Sequence, residues 1–109
     1  MKRMLAAAAL FGAIANPASA YDIGELTCQR IGELAAETLV AKQSGTQFEP
    51  ALTRLTAPLA TEATVERKLV TNIVTIIYQN DLIVAMKPDD AYMMFMGDCV
   101  RGQREDPGR

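Results

Sequence analysis

The chain has no histidine, no tryptophan and only two cysteines. Beyond its first twenty residues it also has a single serine, Ser44. Without imidazole there is no ordinary Ser-His-Asp triad, no histidine general base and no histidine-bearing zinc site. No G-x-G-x-x-G stretch and no phosphate-loop pattern occurs. No cluster of lysine and arginine follows residue 20, which argues against nucleic acid or an anionic lipid surface as the main partner. This inventory points away from an enzyme. It offers no catalytic residue, no metal ligand and no cofactor site.

What is present begins with a leader. Lys2 and Arg3 precede an alanine-rich apolar stretch over 4–14. Asn16-Pro17 breaks that stretch, and Ala18-Ser19-Ala20 supplies a small-x-small cleavage site. These are the three parts of a secretory signal peptide, so residues 1–20 are expected to be removed and the mature chain to start at Tyr21. No cysteine stands at the cleavage point, which favours a soluble product, periplasmic or secreted, over a lipid-anchored one. The mature chain keeps nine basic residues against thirteen acidic ones, a net charge of −4. Its length suits one domain with a thin core, for which cross-links often supply part of the stability. We expect a helical domain over 21–102 and a flexible polar tail over 103–109.

Cys28 and Cys99 are an even pair in an exported chain, and no C-x-x-C motif is present. A structural disulfide is the expected reading. It would tie the first helix to the last across 71 positions. Chain-entropy arithmetic puts its contribution near ~4 kcal/mol, a large share of a small domain's stability.

Four helices are predicted. Asp22 with Glu25 forms a capping box, Tyr21 can staple onto Leu26, and Leu26, Ile31, Leu34, Ala35 and Leu39 recur at helical spacing. Arg30, Glu33, Glu37 and Lys42 would then face away, with Gly45 ending the helix. Gly32 is costly inside a helix by about 1 kcal/mol, and its place one turn from Cys28 predicts a close approach by another backbone. A second helix runs over 48–57, opened by a Thr46/Glu49 box or by Glu49 with Pro50 at the first position, and stopped by Pro58. The run 69–78 is rich in valine, isoleucine and threonine, yet alternation fails. At helical spacing Val65, Leu69, Ile73, Ile76 and Ile77 share one stripe, and Lys68, Asn72, Thr75 and Gln79 the other. Lys87-Pro88 breaks the chain, Asp89 and Asp90 open a fourth helix, and Gly102 closes it. Short connections between four helices predict an all-α, four-helix bundle tied by one disulfide.

Three places invite a function. The apolar segment Leu82, Ile83, Val84 and Met86, whether helix or connection, is a candidate interaction surface, with core as the alternative. Met86, Met93, Met94 and Met96 could offer thioethers to a soft metal, but core filling explains them more simply. Asp89 and Asp90 are accounted for by the helix dipole at an N-terminus. The longer run 69–86 carries Thr71, Asn72, Thr75, Gln79, Asn80 and Asp81. It therefore does not read as the roughly 20 apolar residues of a membrane span.

Around Leu26-Thr27-Cys28-Gln29 the chain resembles acid-stress chaperones of the HdeA type, in mature size and in a Thr-Cys near the start. It departs from them in its wide cysteine separation, its lack of tryptophan and its methionine-rich last helix. The Ile76-Ile77-Tyr78 helix, a proline-bearing loop and a late cysteine are similar to secreted helical immunity proteins of type VI secretion, without that group's paired cysteines and glycine-rich motif. In architecture it looks most like small one-disulfide helical periplasmic proteins of proteobacteria. These resemblances imply a non-enzymatic exported protein that binds another periplasmic protein, as a stress chaperone or an inhibitor does. The alternative is a carrier of a small apolar ligand held between helices.

Overall fold

A computed structural model describes residues 22–104. The expected leader over 1–20, the Tyr21 staple and the tail beyond Arg104 lie outside the described residues. Among the described residues five helices form: α1 Cys28–Gln43, α2 Phe48–Thr56, α3 Thr64–Gln79, α4 Asp81–Val84 and α5 Pro88–Arg104. No strand occurs among the described residues, and none of the helices is long and apolar enough to cross a membrane.

α1 starts later than its sequence predicts. Asp22 accepts from the Gly24 amide at 2.9 Å, and Gly24 has φ +60°, so this stretch is a tight turn. The Glu25 amide is taken by the Glu66 carboxylate at 2.6 Å. Both halves of the expected capping box are thus engaged elsewhere, and Thr27 caps the helix instead. Its hydroxyl accepts from the Arg30 amide at 3.0 Å. The other end is as expected. Gly45 lies at φ +88°, its amide reaches the Lys42 carbonyl, and the Thr46 amide reaches Ala41. Those two bonds make a Schellman motif.

α2 has Gln47 at its N-cap with no side-chain capping bond. Neither predicted cap forms, and Pro50 sits in the first turn, where its missing N–H goes unused. α3 is helical, as its failed alternation implies, but its buried stripe is rotated from the predicted one. Glu66, Val70, Ile73, Val74 and Ile77 are buried, whereas Ile76 is 48% exposed. Asn80 then leaves helical geometry, and its side chain accepts from the Leu82 and Ile83 amides to start α4. α5 opens at Pro88, with the Lys87 carbonyl accepting from Asp90 and Ala91. It runs through Gly102 to Arg104, so Gly102 is no stop.

α1 is the hub of the molecule. It packs against α2, α3, α4 and α5, while α2 and α3 also pack on each other and α5 packs chiefly on α1. α1 and α5 are the most closely packed pair, and the core draws on all five helices, with Leu55 from α2, Ile83 from α4, and Ala91 and Cys99 from α5. It is built chiefly from Leu34, Ala35 and Leu39 of α1 with Val70, Val74 and Ile77 of α3. Thr38 is wholly buried among them, and its hydroxyl is satisfied by the Leu34 carbonyl at 2.7 Å.

Two features fasten α5 to α1. Cys28 and Cys99 form a disulfide, with Cα atoms 5.4 Å apart. One turn along, a Cβ placed on Gly32 would stand 2.9 Å from the Tyr92 carbonyl oxygen and 3.0 Å from the Met96 Cβ. The close backbone approach expected at Gly32 is therefore present.

Candidate functional site

The outward face of α1 carries the most developed surface feature. Arg30 donates to Glu33 at 3.2 Å and to Glu37 at 3.0 Å. Partial burial works to lower the arginine's pKa, but the hydrogen bonds and charges of Glu37 and Glu33 outweigh it, and the net shift is upward. Beyond this ion-paired end, Ala36 and Val40 lie along the helix and face the last turn of α2. Together with Leu55, Pro58 and Arg54 they line an open groove of about 440 Å³ between α1 and α2. Val40 is 48% exposed there.

The chemistry of this groove is simple. Its floor is aliphatic, and its rim holds one arginine already paired with two carboxylates. The second arginine, Arg54, has no carboxylate within ion-pair distance among the described residues. The one carboxylate among its lining residues, Glu37, is held in the ion pair with Arg30. The groove can seat an apolar side chain and hold a negative group at Arg54. The sequence does not single out this place, although it holds a signal. Val40 is a large apolar residue on a face otherwise marked by Arg30, Glu33 and Glu37.

The candidate surface at 82–86 is split by the structure. Leu82 is 84% exposed, whereas Ile83 is 7% exposed and belongs to the core. Val84 and Met86 are half-buried and pack against that core. Their carbonyls are both held by the Gln43 amide group, at 3.0 and 2.9 Å. The segment is thus mainly an anchor, with Leu82 as its projecting apolar side chain. The methionines divide too. Met86 packs on the core, while Met93 is 59% and Met94 36% exposed, so core filling does not account for the last two. Asp89 and Asp90 lie in the first turn of α5, where the helix dipole favours them. Among the described residues no group of three or more Cys, Asp or Glu side chains is placed to hold a metal ion.

Lys42, expected to face solvent, instead reaches across to α3. Its ammonium donates to the Ile77 and Tyr78 carbonyls at 3.0 and 2.9 Å, capping the negative end of that helix. It also lies 5.7 Å from the Tyr78 ring centroid. Tyr78 stacks edge-on against Phe48 and donates its hydroxyl to the Thr46 carbonyl at 2.7 Å. Burial raises the phenol's pKa, partly opposed by the charge of Arg54. This cluster fixes the loop that leads into α2, and so positions one wall of the groove. Comparison with known proteins places the chain in no family: no family model, no curated protein and no solved structure matches it.

Proposed function

We propose that this chain is exported, loses residues 1–20, and acts in the periplasm as a non-enzymatic protein that binds another protein. The α1–α2 groove is the surface we assign to that partner. The observation that carries this reading is the exposure of Val40 over an aliphatic floor, beside an arginine that has no carboxylate partner among the described residues. An apolar recess rimmed by charge is the surface we take for that contact. An arginine next to such a floor adds directional recognition of a carboxylate. The resemblances to acid-stress chaperones and to immunity proteins support the same class, since both act by holding a protein. A groove of this volume also falls in the range that suits small ligands, which keeps an apolar-ligand carrier as the second reading.

The test is affinity recovery with a matched variant. Wild type and Val40→Glu are each immobilised and exposed to periplasmic extract. A stoichiometric protein retained by wild type and lost by Val40→Glu, with helicity unchanged by circular dichroism, supports the proposal. Equal retention by both variants removes the groove from consideration. A lipid co-purifying with wild type and absent from Val40→Glu transfers the site to the carrier reading.

A further inference from the structure

We infer that Met93 and Met94 form a reversible modification site on α5, where a peroxide delivers one oxygen atom to each thioether while the fold stays intact. The α1–α2 groove plays no part in this proposal.

Two sets of observations carry it. The first concerns what would compete for the oxidant. The chain has no histidine and no tryptophan, and its two cysteines are joined to each other, so no thiol is free. Thioether sulfur is then the most readily oxidised group left in the chain.

The second concerns where the four methionines beyond residue 20 stand. Met86 packs against the core. Met96 holds its Cβ against Gly32, in the seam between α1 and α5. Met93 and Met94, in contrast, are exposed. Helical side chains lean toward the N-terminus of their helix, so residues one turn later tend to lean over earlier ones. Gly97 stands four positions after Met93 and three after Met94, and it supplies no side chain to cover either. Even a Cβ placed there would meet only the Arg101 guanidinium, at 3.6 Å. The four thioethers thus fall into an open pair and a packed pair.

The reaction balances as an oxygen-atom transfer. The sulfur lone pair attacks one oxygen of hydrogen peroxide, the O–O bond breaks, and that oxygen stays on sulfur. The other oxygen leaves as hydroxide, takes up the proton released by the first, and departs as water. Sulfur has lost two electrons and the peroxide has gained them. Charge separates as the O–O bond breaks, and water around an exposed thioether stabilises it, whereas a packed thioether lacks both the water and the access. The product is polar, and inside packed apolar surroundings it disrupts the fold. On the exposed side chains of Met93 and Met94 it stays in water, where changes cost little.

The test treats the full chain with hydrogen peroxide and follows oxygen uptake at each methionine separately by fragmentation mass spectrometry. Met93 and Met94 should oxidise roughly fivefold or more faster than Met86 and Met96, and unfolding in urea should bring the four rates together. Protein oxidised at both positions should melt within about 4 °C of untreated protein. The two methionine sulfoxide reductases, one for each epimer, should together remove both oxygens. Equal rates at all four methionines of the folded protein overturn the proposal, as does loss of helicity on oxidation of Met93 and Met94. A rate difference that persists in urea traces to local sequence rather than to burial and overturns it equally. Oxygens that the reductases leave in place remove its reversibility.

Discussion

Replacing Gly32 with alanine sets two effects of opposite sign against each other, and the geometry decides between them. In an exposed helix interior the change would stabilise by about 1 kcal/mol. Here the new methyl carbon would lie 2.9 Å from the Tyr92 carbonyl oxygen and 3.0 Å from the Met96 Cβ. One of these is backbone and the other is the first atom of a side chain, so neither can swing aside. The remaining escape is for α5 to back away. The disulfide one turn along, which holds the Cα atoms of Cys28 and Cys99 at 5.4 Å, opposes that. Overpacking of this kind costs about 1–3 kcal/mol. Apolar packing given up along α5 as the helix tilts raises that cost, so we expect a net destabilisation of about 1–2 kcal/mol. For a domain of this size, each kcal/mol moves Tm by roughly 4–8 °C. Thermal melts followed by dichroism should therefore show Gly32→Ala roughly 5–15 °C below wild type, by the same arithmetic. The companion experiment places the change in a Cys28→Ser, Cys99→Ser background, where α5 is free to retreat and the loss should shrink. A coupling of about 1 kcal/mol between the two sites is the expected result. A Gly32→Ala protein that melts at or above wild type with its disulfide intact would refute the close approach.

Removing the Lys42 ammonium leaves the Tyr78 carbonyl without its side-chain donor and the Ile77 carbonyl with only the long Asn80 amide bond, so Lys42→Met should lower urea stability by about 1–2 kcal/mol. Tyr78 supplies a pH test. Its folded pKa lies above the ordinary value, so its contribution is full below about pH 10 and is lost as pH rises through the folded pKa. Urea midpoints between about pH 8 and 11 should fall more steeply for wild type than for Tyr78→Phe, and parallel curves would contradict the burial. Ile83→Asp should unfold the protein or cost about 3 kcal/mol or more, whereas Leu82→Asp, one residue away and exposed, should change stability by no more than about 0.5 kcal/mol. Equal effects would mean that α4 does not face the core through Ile83.

The parts of the fold that could be read in advance are those decided within a few residues. Gly45 closing α1, Pro58 following α2, and the break at Lys87-Pro88 just ahead of Asp89 and Asp90 are matters of local backbone preference, although α5 takes Pro88 itself as its first residue. The helical state of 69–78 followed from periodicity, and the disulfide from an even cysteine count in a chain expected to be exported. What could not be read depends on partners far away along the chain. Glu66 takes the Glu25 amide across 41 residues, which turns the expected start of α1 into a loop. Lys42 bonds across 35 and 36 residues, although a helical wheel assigns it to solvent. The face of α3 was ambiguous for a different reason. Val70, Ile73, Val74, Ile76 and Ile77 crowd its surface, so hydrophobicity alone leaves its rotation open, and packing on α1 and α2 chooses Val70 and Val74 over Ile76.

The groove follows from a mismatch of lengths that the sequence contains but does not announce. α2 has nine residues and α1 sixteen, about 13 Å against 24 Å at the usual helical rise. α2 therefore runs out beside α1 before covering it. Pro58 forbids continuation, and Arg67 of α3 secures the break by donating to the Thr56 and Leu59 carbonyls at 3.4 and 3.2 Å. Acceptors of this kind are what any helix end leaves behind, so the stop is held from a second element as well as imposed by the proline. Ala36 and Val40 consequently face the terminus of a short helix and open solvent. A proline legible only as a punctuation mark thus bounds the apolar recess to which we assign a partner. Its chemistry was hidden because Val40 and Arg54 are unremarkable apart, and acquire a joint meaning only when α1 and α2 are packed.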